Sequence, residues 1–364
     1  EIELTQVVRE AVYQLVKNVC KQNQCELEEI AEISFVGNPI MHHLLLGINP
    51  EELGGAPFAL ATDESFRLSA RKLELNFFTN TQCYFLPCIA GHVGADTAGM
   101  ILSEEIFNRK DISLLVDVGT NAEIVLGNNK KILTASSPTG PAFEGAQISS
   151  GQRAAPGAIE RVRINPKTLE PNFKLVGNDL WYSDPEFEKS IKKTGITGIC
   201  GSGIIEVIAE MYLAGIINTD GVINGNLAKK FSRIIPDGRT YSYILNSDQN
   251  MIKITQNDVR AIQLAKAALY AGIKLLMEHM NINSVDRIRL AGAFGSHIDV
   301  KYAMIIGLIP DCNLDDVSSA GNAAGTGARI TLLNHKKRKE IEDIVKNVEK
   351  IETAVEKKFQ EHFV

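Results

Sequence analysis

Apolar positions along the chain change their spacing at a few sharp points, and these points set the predicted elements. Leu4, Val7, Val8, Ala11, Val12, Leu15, Val16 and Val19 recur at helical spacing and predict one amphipathic helix. Residues 30–36 read as a strand, and Gly37-Asn38-Pro39 leads into a helix over IMHHLLLGI. Residues 49–80 are weakly patterned and read as loop. Residues 83–89 form a buried strand that runs into the small-residue stretch 90–99, which opens a helix. Apolar runs on both sides of Asp117-Val118-Gly119-Thr120-Asn121 predict a β-hairpin over 114–127, and residues 131–135 add a third strand. Residues 161–181 alternate and carry Asn/Pro turns, as a hairpin insertion would. A helix follows Gly203, and a long helix over 257–280 carries the small stripe Ala265, Ala268 and Ala271. The strand 286–290 and a second small-residue run, 320–328, complete the pattern. After His335 the tail is basic and then heptad-like, through Ile341, Ile344, Val348, Ile351, Val355 and Phe359. It reads as a C-terminal helix packed on its own domain, with a dimer seam as the alternative.

The length of 364 residues suits two lobes better than one core. A hydrophobic fraction of 45% beside 23% charged residues is that of an ordinary soluble globular protein. Lys and Arg number 38 against 44 Asp and Glu, and the net charge of −6 argues against indiscriminate nucleic-acid binding. No apolar run has the length of a membrane span, and EIELTQVVREAVYQ lacks a signal-peptide pattern. A reduced, cytoplasmic protein is expected, and the absence of an initiator Met reads as a piece of something longer. Cys20/Cys25 and Cys83/Cys88 share a Cys-x4-Cys spacing, yet no Cys-x2-Cys follows either pair. Buried thiols are therefore favoured over a zinc or iron–sulfur site.

Candidate chemistry gathers in the glycine turns. Gly119 lets an anion approach the backbone, and the Thr120 hydroxyl and Asn121 amide can donate to phosphate oxygens. Asp117, ending a buried strand, can hold a water on a phosphate-bound Mg²⁺. The turn around Thr139-Gly140-Pro141, with Glu144 just beyond, can present N–H groups to phosphate. Gly201-Ser202-Gly203 opens a helix as an anion cradle, although its order is not that of the dinucleotide G-x-G-x-x-G. No G-x-x-x-x-G-K-[ST] occurs, which excludes a P-loop protein. Gly292, Ala293 and Gly295 follow a strand's carboxyl end, where open α/β sheets place ligands. Asp96 is a catalytic base or a helix cap, and the residues alone favour the cap. His42 and His43 are adjacent on a helix and lack a third ligand at suitable spacing, so packing is favoured over metal binding.

In this order of joints and turns the chain resembles the actin-like ATPase superfamily, which includes sugar and acetate kinases and heat-shock chaperones. The resemblance implies an α/β fold of two lobes, each an RNase H-like sheet flanked by helices, closing on ATP. FVGNPIMHHLLLG, LPCIAGHVGADT, DVGTNAEIVLG, TGPAFEGA, GICGSGII and LAGAFGSHID are together similar to the carboxy-terminal region of reductive activators of corrinoid-dependent enzymes. Such proteins use ATP to help move an electron from a 2Fe–2S cluster to a Co(II) corrinoid on a partner methyltransferase system, restoring Co(I). The resemblance implies that Asp117, Gly119, Thr120 and Asn121 form the second phosphate hairpin, with Gly140 and Gly201-Ser202-Gly203 nearby. It assigns adenosine to Gly292, Ala293 and Gly295, and the hinge helices to Ala95-Asp96 and to residues 322–327. Residues 1–110 would be the rear of an incomplete first lobe, 111–334 the second lobe, and 335–364 the C-terminal helix. The ferredoxin-like domain with its cluster and electron donor is absent from this sequence, as is the first lobe's own Asp-x-Gly-Thr hairpin. Expected partners are ATP, Mg²⁺ and a corrinoid protein, without nucleic acid or membrane, and a homodimer is allowed. Two rival readings are a small-molecule kinase of the same fold, using Asp96 or Glu144 as base, and a non-catalytic docking or dimerisation module.

Overall fold

The structure is a computed structural model that describes residues 2–75, 80–247, 250–295 and 297–363. The chain divides into two units, each drawn from discontinuous stretches. The first comprises Glu1–Leu115, Glu123–Ser136 and Ala320–Thr353; the second comprises Val116–Ala122, Ser137–Ser319 and Ala354–Val364.

In the first unit the predicted N-terminal helix is Ile2–Asn23. Its Val8, Val12 and Val16 pack on a core built around Leu45, Leu73, Leu75 and Phe85. The helix stops where Gln24 turns left-handed and the Cys25 N–H donates back to the Cys20 carbonyl at 3.1 Å. Strand Glu32–Phe35 pairs parallel with Gln82–Phe85, whose other edge pairs antiparallel with Phe66–Ser69. The last strand falls in the stretch read as loop, because four residues are too few to show a period. Asn38 caps helix Pro39–Leu46 by accepting the Met41 N–H at 2.9 Å, and left-handed Gly47 ends it. His42 is buried edge-on to Phe66 and Phe85, and burial lowers its pKa to about 4. His43 accepts the Ala61 N–H at 3.1 Å, so both rings serve packing.

The two small-residue helices, Ala95–Glu104 and Ala323–Leu333, pack on each other within this same unit. They cross at Gly99 and Gly327, where a Cβ on Gly327 would overlap the Gly99 backbone. A Cβ on Gly99 would stand 2.9 Å from the Ala324 carbonyl oxygen. Strands Ser113–Val118, Ala122–Gly127 and Ile132–Ser137 are neighbours in that order, which places the expected hairpin and third strand. The tail departs from expectation. It is a helix His335–Val345, a strand Val348–Lys350 and a helix Lys357–Phe363, not one helix. Val348-Glu349-Lys350 finds an open strand edge at residues 132–134, and this pairing overrides the heptad spacing.

The returning helix is fastened by one guanidinium. Arg338, only 8% exposed, forks both Glu32 oxygens at 3.0 and 2.8 Å. Its Nε donates to the Thr331 carbonyl, and its plane lies 4.3 Å from the Tyr84 ring centre. The Arg338 hydrogen bond holds the Glu32 carboxyl below the usual carboxylate range.

In the second unit, strands Ala158–Ile164 and Pro171–Leu175 form the predicted hairpin, and Gly198–Ile199 pairs parallel on the other edge. Helix Gly201–Leu213 covers this sheet. Its wholly buried Glu206 accepts Arg161 at 2.7 Å, the Val162 N–H at 2.8 Å, and Arg163. The pattern did not assign the antiparallel sheet of Ile234–Asp237, Thr240–Asn246 and Ile252–Thr255. Helix Gln256–His279 starts at a Thr255/Asp258 capping box and carries helix Lys357–Phe363 along its side. Strand Arg287–Ala291 neighbours Val317–Gly321.

Arg338→Met should lower stability by roughly 1.5–3 kcal/mol, because it leaves the sheltered Glu32 carboxylate with only the more exposed Arg67, whose Nε lies 3.1 Å away. A folded-state pKa below the unfolded one means the stabilisation is present at neutral pH and lost as pH falls through the lowered value. The melting-temperature gap between wild type and Glu32→Gln should therefore close on acidification. A gap constant with pH would contradict the ion pair.

Candidate functional site

The turn after strand Ser113–Val118 is clasped to the turn that follows the third strand. The Gly119 N–H donates to the Asn121 carbonyl at 3.1 Å. The Thr139 hydroxyl donates to the Gly119 carbonyl at 2.7 Å, and the Gly140 N–H donates to the Thr120 carbonyl at 2.9 Å. Gly140 has φ 70° and ψ 175°, a backbone region reserved for glycine. Glu144 closes the short helix Pro141–Glu144 and accepts the Thr120 hydroxyl at 2.6 Å. Five of the residues singled out from the sequence, Gly119, Thr120, Asn121, Gly140 and Glu144, thus share one polar corner. Thr120, Asn121 and Glu144 are exposed there.

Gly292 lies against the same corner. It has φ 82°, and a Cβ added to it would run into the Asp117 Oδ1. Only glycine lets the chain pass so close to this half-buried carboxylate while turning left-handed. Ala293 continues the short helix Gly292–Gly295, and Gly295 is buried against Leu290, where a Cβ would stand 3.0 Å from the carbonyl carbon.

Gly201, Ser202 and Gly203 have a different setting. A Cβ on Gly203 would overlap the Ile159 carbonyl, and the buried Ser202 hydroxyl lies 3.4 Å from the Cys200 sulfur. Their observed contacts are those of a helix pressed onto a strand. The same helix packs against Pro141–Glu144, so it braces the polar corner from behind. Asp96 belongs to the other unit. It sits in the first turn of Ala95–Glu104 and accepts the Thr97 N–H at 2.8 Å, and burial raises its carboxyl above the usual range. That contact is a helix-end interaction, and the raised pKa also makes the group a better proton acceptor at neutral pH.

Thr139 was not singled out from the sequence. Its signal was a hydroxyl directly before Gly-Pro, where a side chain can hold a turn that the following residues reverse. Among the described residues no group of three or more His, Cys, Asp or Glu is placed to hold a metal ion. All six cysteines are free. A cation at this corner would have the Asp117 and Glu144 carboxylates in the surrounding turns and would otherwise keep its own waters, as Mg²⁺ bound with phosphates does and a caged metal does not.

Residues 111–364 match the family described as the C-terminal domain of RACo, the ASKHA domain, and residues 2–109 match the RACo middle region. The chain is similar to the corrinoid activation enzyme RamQ of Eubacterium limosum, with 34% identity over all of this chain and 60% of that protein. It is 25% identical to the [Co(II) methylated amine-specific corrinoid protein] reductase of Methanosarcina barkeri, over 94% of this chain and 63% of the relative. A solved reductive activator for corrinoid, iron-sulfur protein superposes with a TM-score of 0.84 at 31% identity, over 99% of this chain and 56% of its own. The chain thus spans less than two thirds of the length of each of these proteins. Among the described residues no helix is long and apolar enough to cross a membrane.

Gly292→Ala should destabilise the protein beyond the roughly 1–3 kcal/mol of left-handed strain. Gly177→Ala is the control, since Gly177 has φ 76° with open space around it. Equal melting temperatures for the two variants would show that Asp117 does not occupy the space above Gly292.

Proposed function

Since this chain belongs to the RACo family, as its middle region followed by its C-terminal ASKHA domain, we propose that it is the nucleotide-operated part of a corrinoid reductive activator. In this role it binds Mg-ATP and uses it to let a Co(II) corrinoid protein be reduced to Co(I). The observation that supports the reading is the close approach of Gly292 to Asp117, which brings the turn at 292–295 beside the turn at 117–121.

The Gly119 and Gly140 N–H groups hold the two turns in shape, and the Asn121 amide, with the Thr120 hydroxyl once Glu144 gives it up, would donate to the phosphate oxygens. The turn of Gly292, Ala293 and Gly295, brought against Asp117, would seat the nucleoside. Asp117 would hold Mg²⁺ through water, and the ion would neutralise phosphate charge. Glu144, within hydrogen-bond reach of Thr120, is placed to orient or deprotonate a water near the terminal phosphate. Gly201, Ser202 and Gly203 act at one remove, by seating the helix behind Glu144. Asp96 is a second proton acceptor, on the other unit.

The electron itself comes from a 2Fe–2S domain that we assign to sequence outside these 364 residues. The chain spans less than two thirds of each relative, which leaves room in those proteins for a further domain. ATP contributes by binding one conformation of the activator more tightly than another, so that contact with the corrinoid protein depends on the nucleotide.

Asp117→Asn should weaken Mg-ATP binding by about a hundredfold, the effect of losing roughly 2–3 kcal/mol of charge-assisted contact. Calorimetry on this chain measures that loss. In the complete activator the same change should abolish ATP-dependent appearance of the Co(I) absorbance. Unaltered ATP affinity would refute the assignment of Asp117. ATP consumption that requires a small metabolite and ignores the corrinoid protein would favour the kinase reading.

A further inference from the structure

A cavity of about 200 Å³ lies within the second unit, and none of the residues assigned to nucleotide lines it. Ile208, Ile217, Val259, Ile262, Ile305 and Ile306 give it an aliphatic wall. Lys266 stands on that wall and also borders a more open hollow with Leu264, Tyr270 and Phe363. The cation therefore has the isoleucines on one side and, on the other, a hollow that Arg260 and His362 also border.

Tyr212 and Thr219 bring uncharged hydroxyls to the cavity, and its two amide side chains are already engaged. Gln263 takes Arg260 on its carbonyl and gives its amide to the Asp220 carbonyl. Asn218 accepts the Val222 N–H at 2.8 Å. Lys266 differs from them, having neither an ion pair nor a hydrogen bond among the described residues. A Cβ added to Gly307 would stand 3.4 Å from the Lys266 Nζ. Gly307 follows the carbonyl end of helix Val300–Ile305, a partial negative charge that suits an ammonium but leaves its protons unspent. Burial, with no opposing charge, lowers the ammonium pKa.

A pocket with an apolar body and one convergent polar group is the usual form of a small-molecule site. The chemistry of the wall narrows the ligand. One cation matches one negative head group, and the isoleucines match a saturated chain with no hydrogen-bonding demands. A phosphate ester would leave most of its oxygens against hydrocarbon. We propose that this cavity binds a short aliphatic carboxylate, with its head group on Lys266 and its chain among the isoleucines. The site is independent of the nucleotide reading and stands or falls separately from it.

Calorimetry of the protein with butanoate, hexanoate and octanoate tests this directly, with hexan-1-ol and hexylamine as controls. The carboxylates should bind, and hexan-1-ol should bind at least about tenfold more weakly. Lys266→Met should remove that preference while retaining the wild-type circular dichroism, and Lys266→Arg should keep it. Ile262→Phe, which fills the cavity and leaves the charge, should weaken the carboxylate and the alcohol alike. Absence of carboxylate binding at millimolar concentration would overturn the proposal. Equal binding of carboxylate and alcohol, or unchanged binding by Lys266→Met, would do the same.

Discussion

Asp117 and Gly292 meet because one of them has no side chain. The carboxylate ends a buried strand and the glycine follows its neighbour, and a methyl group on the glycine would turn the carboxylate out of its place. Here the contact fixes how far the hairpin turn lies from the turn at 292. The Thr139 hydroxyl then fixes the hairpin to the next turn by bonding to the Gly119 carbonyl. Ser137, just before it, donates to the Ala268 carbonyl at 2.6 Å and so secures the long helix to the same strand end. Remote parts of the sequence are thereby held at one corner by short, directional contacts, which is the condition for a preorganised anion site.

The first unit uses the same device with backbone on both sides. Gly99 and Gly327 let two helices approach until main-chain atoms touch, and Gly94 lies equally close to the Gly37 carbonyl. Close approach of this kind gains dispersion contacts without side-chain entropy, but it tolerates no added volume. Two helices in such contact form a packed pair. Any movement they take part in is a shift of that pair or a sliding of one surface on the other, since a tightly packed contact does not stretch.

Much of this was legible in the sequence because it rests on local signals. The hairpin at 114–127, the long helix begun by its capping box and the strand before Ala291-Gly292 all announce themselves by period and punctuation. The glycine turns were visible as candidates, since glycine marks positive φ and close approach whatever its partners. The partners were not visible. Nothing in Gly201-Ser202-Gly203 distinguishes a phosphate cradle from a helix pressed onto Ile159, because both need the same missing side chains. Phe66–Ser69 and Val348–Lys350 were missed because each is too short for a period and exists through its pairing with a distant strand. Arg338 looked like one basic residue in a basic tail. Its role depends on Glu32, some three hundred residues earlier.

The Thr120–Glu144 bond suggests how binding at this corner can be felt elsewhere in the second unit. The hydroxyl has one proton, and it is given to Glu144. A phosphate oxygen arriving at the turn would compete for that proton and would set a second negative charge beside the carboxylate. Glu144 must then lose its donor or shift, and it ends the short helix against which Gly201–Leu213 packs. That longer helix carries Glu206 and Glu210, whose carboxylates hold the backbone of strand Ala158–Ile164 and the Tyr302 hydroxyl. If a ligand at the corner interacted differently with two positions of this hydrogen-bonded block, that difference would supply what a bound nucleotide needs in order to bias a conformation.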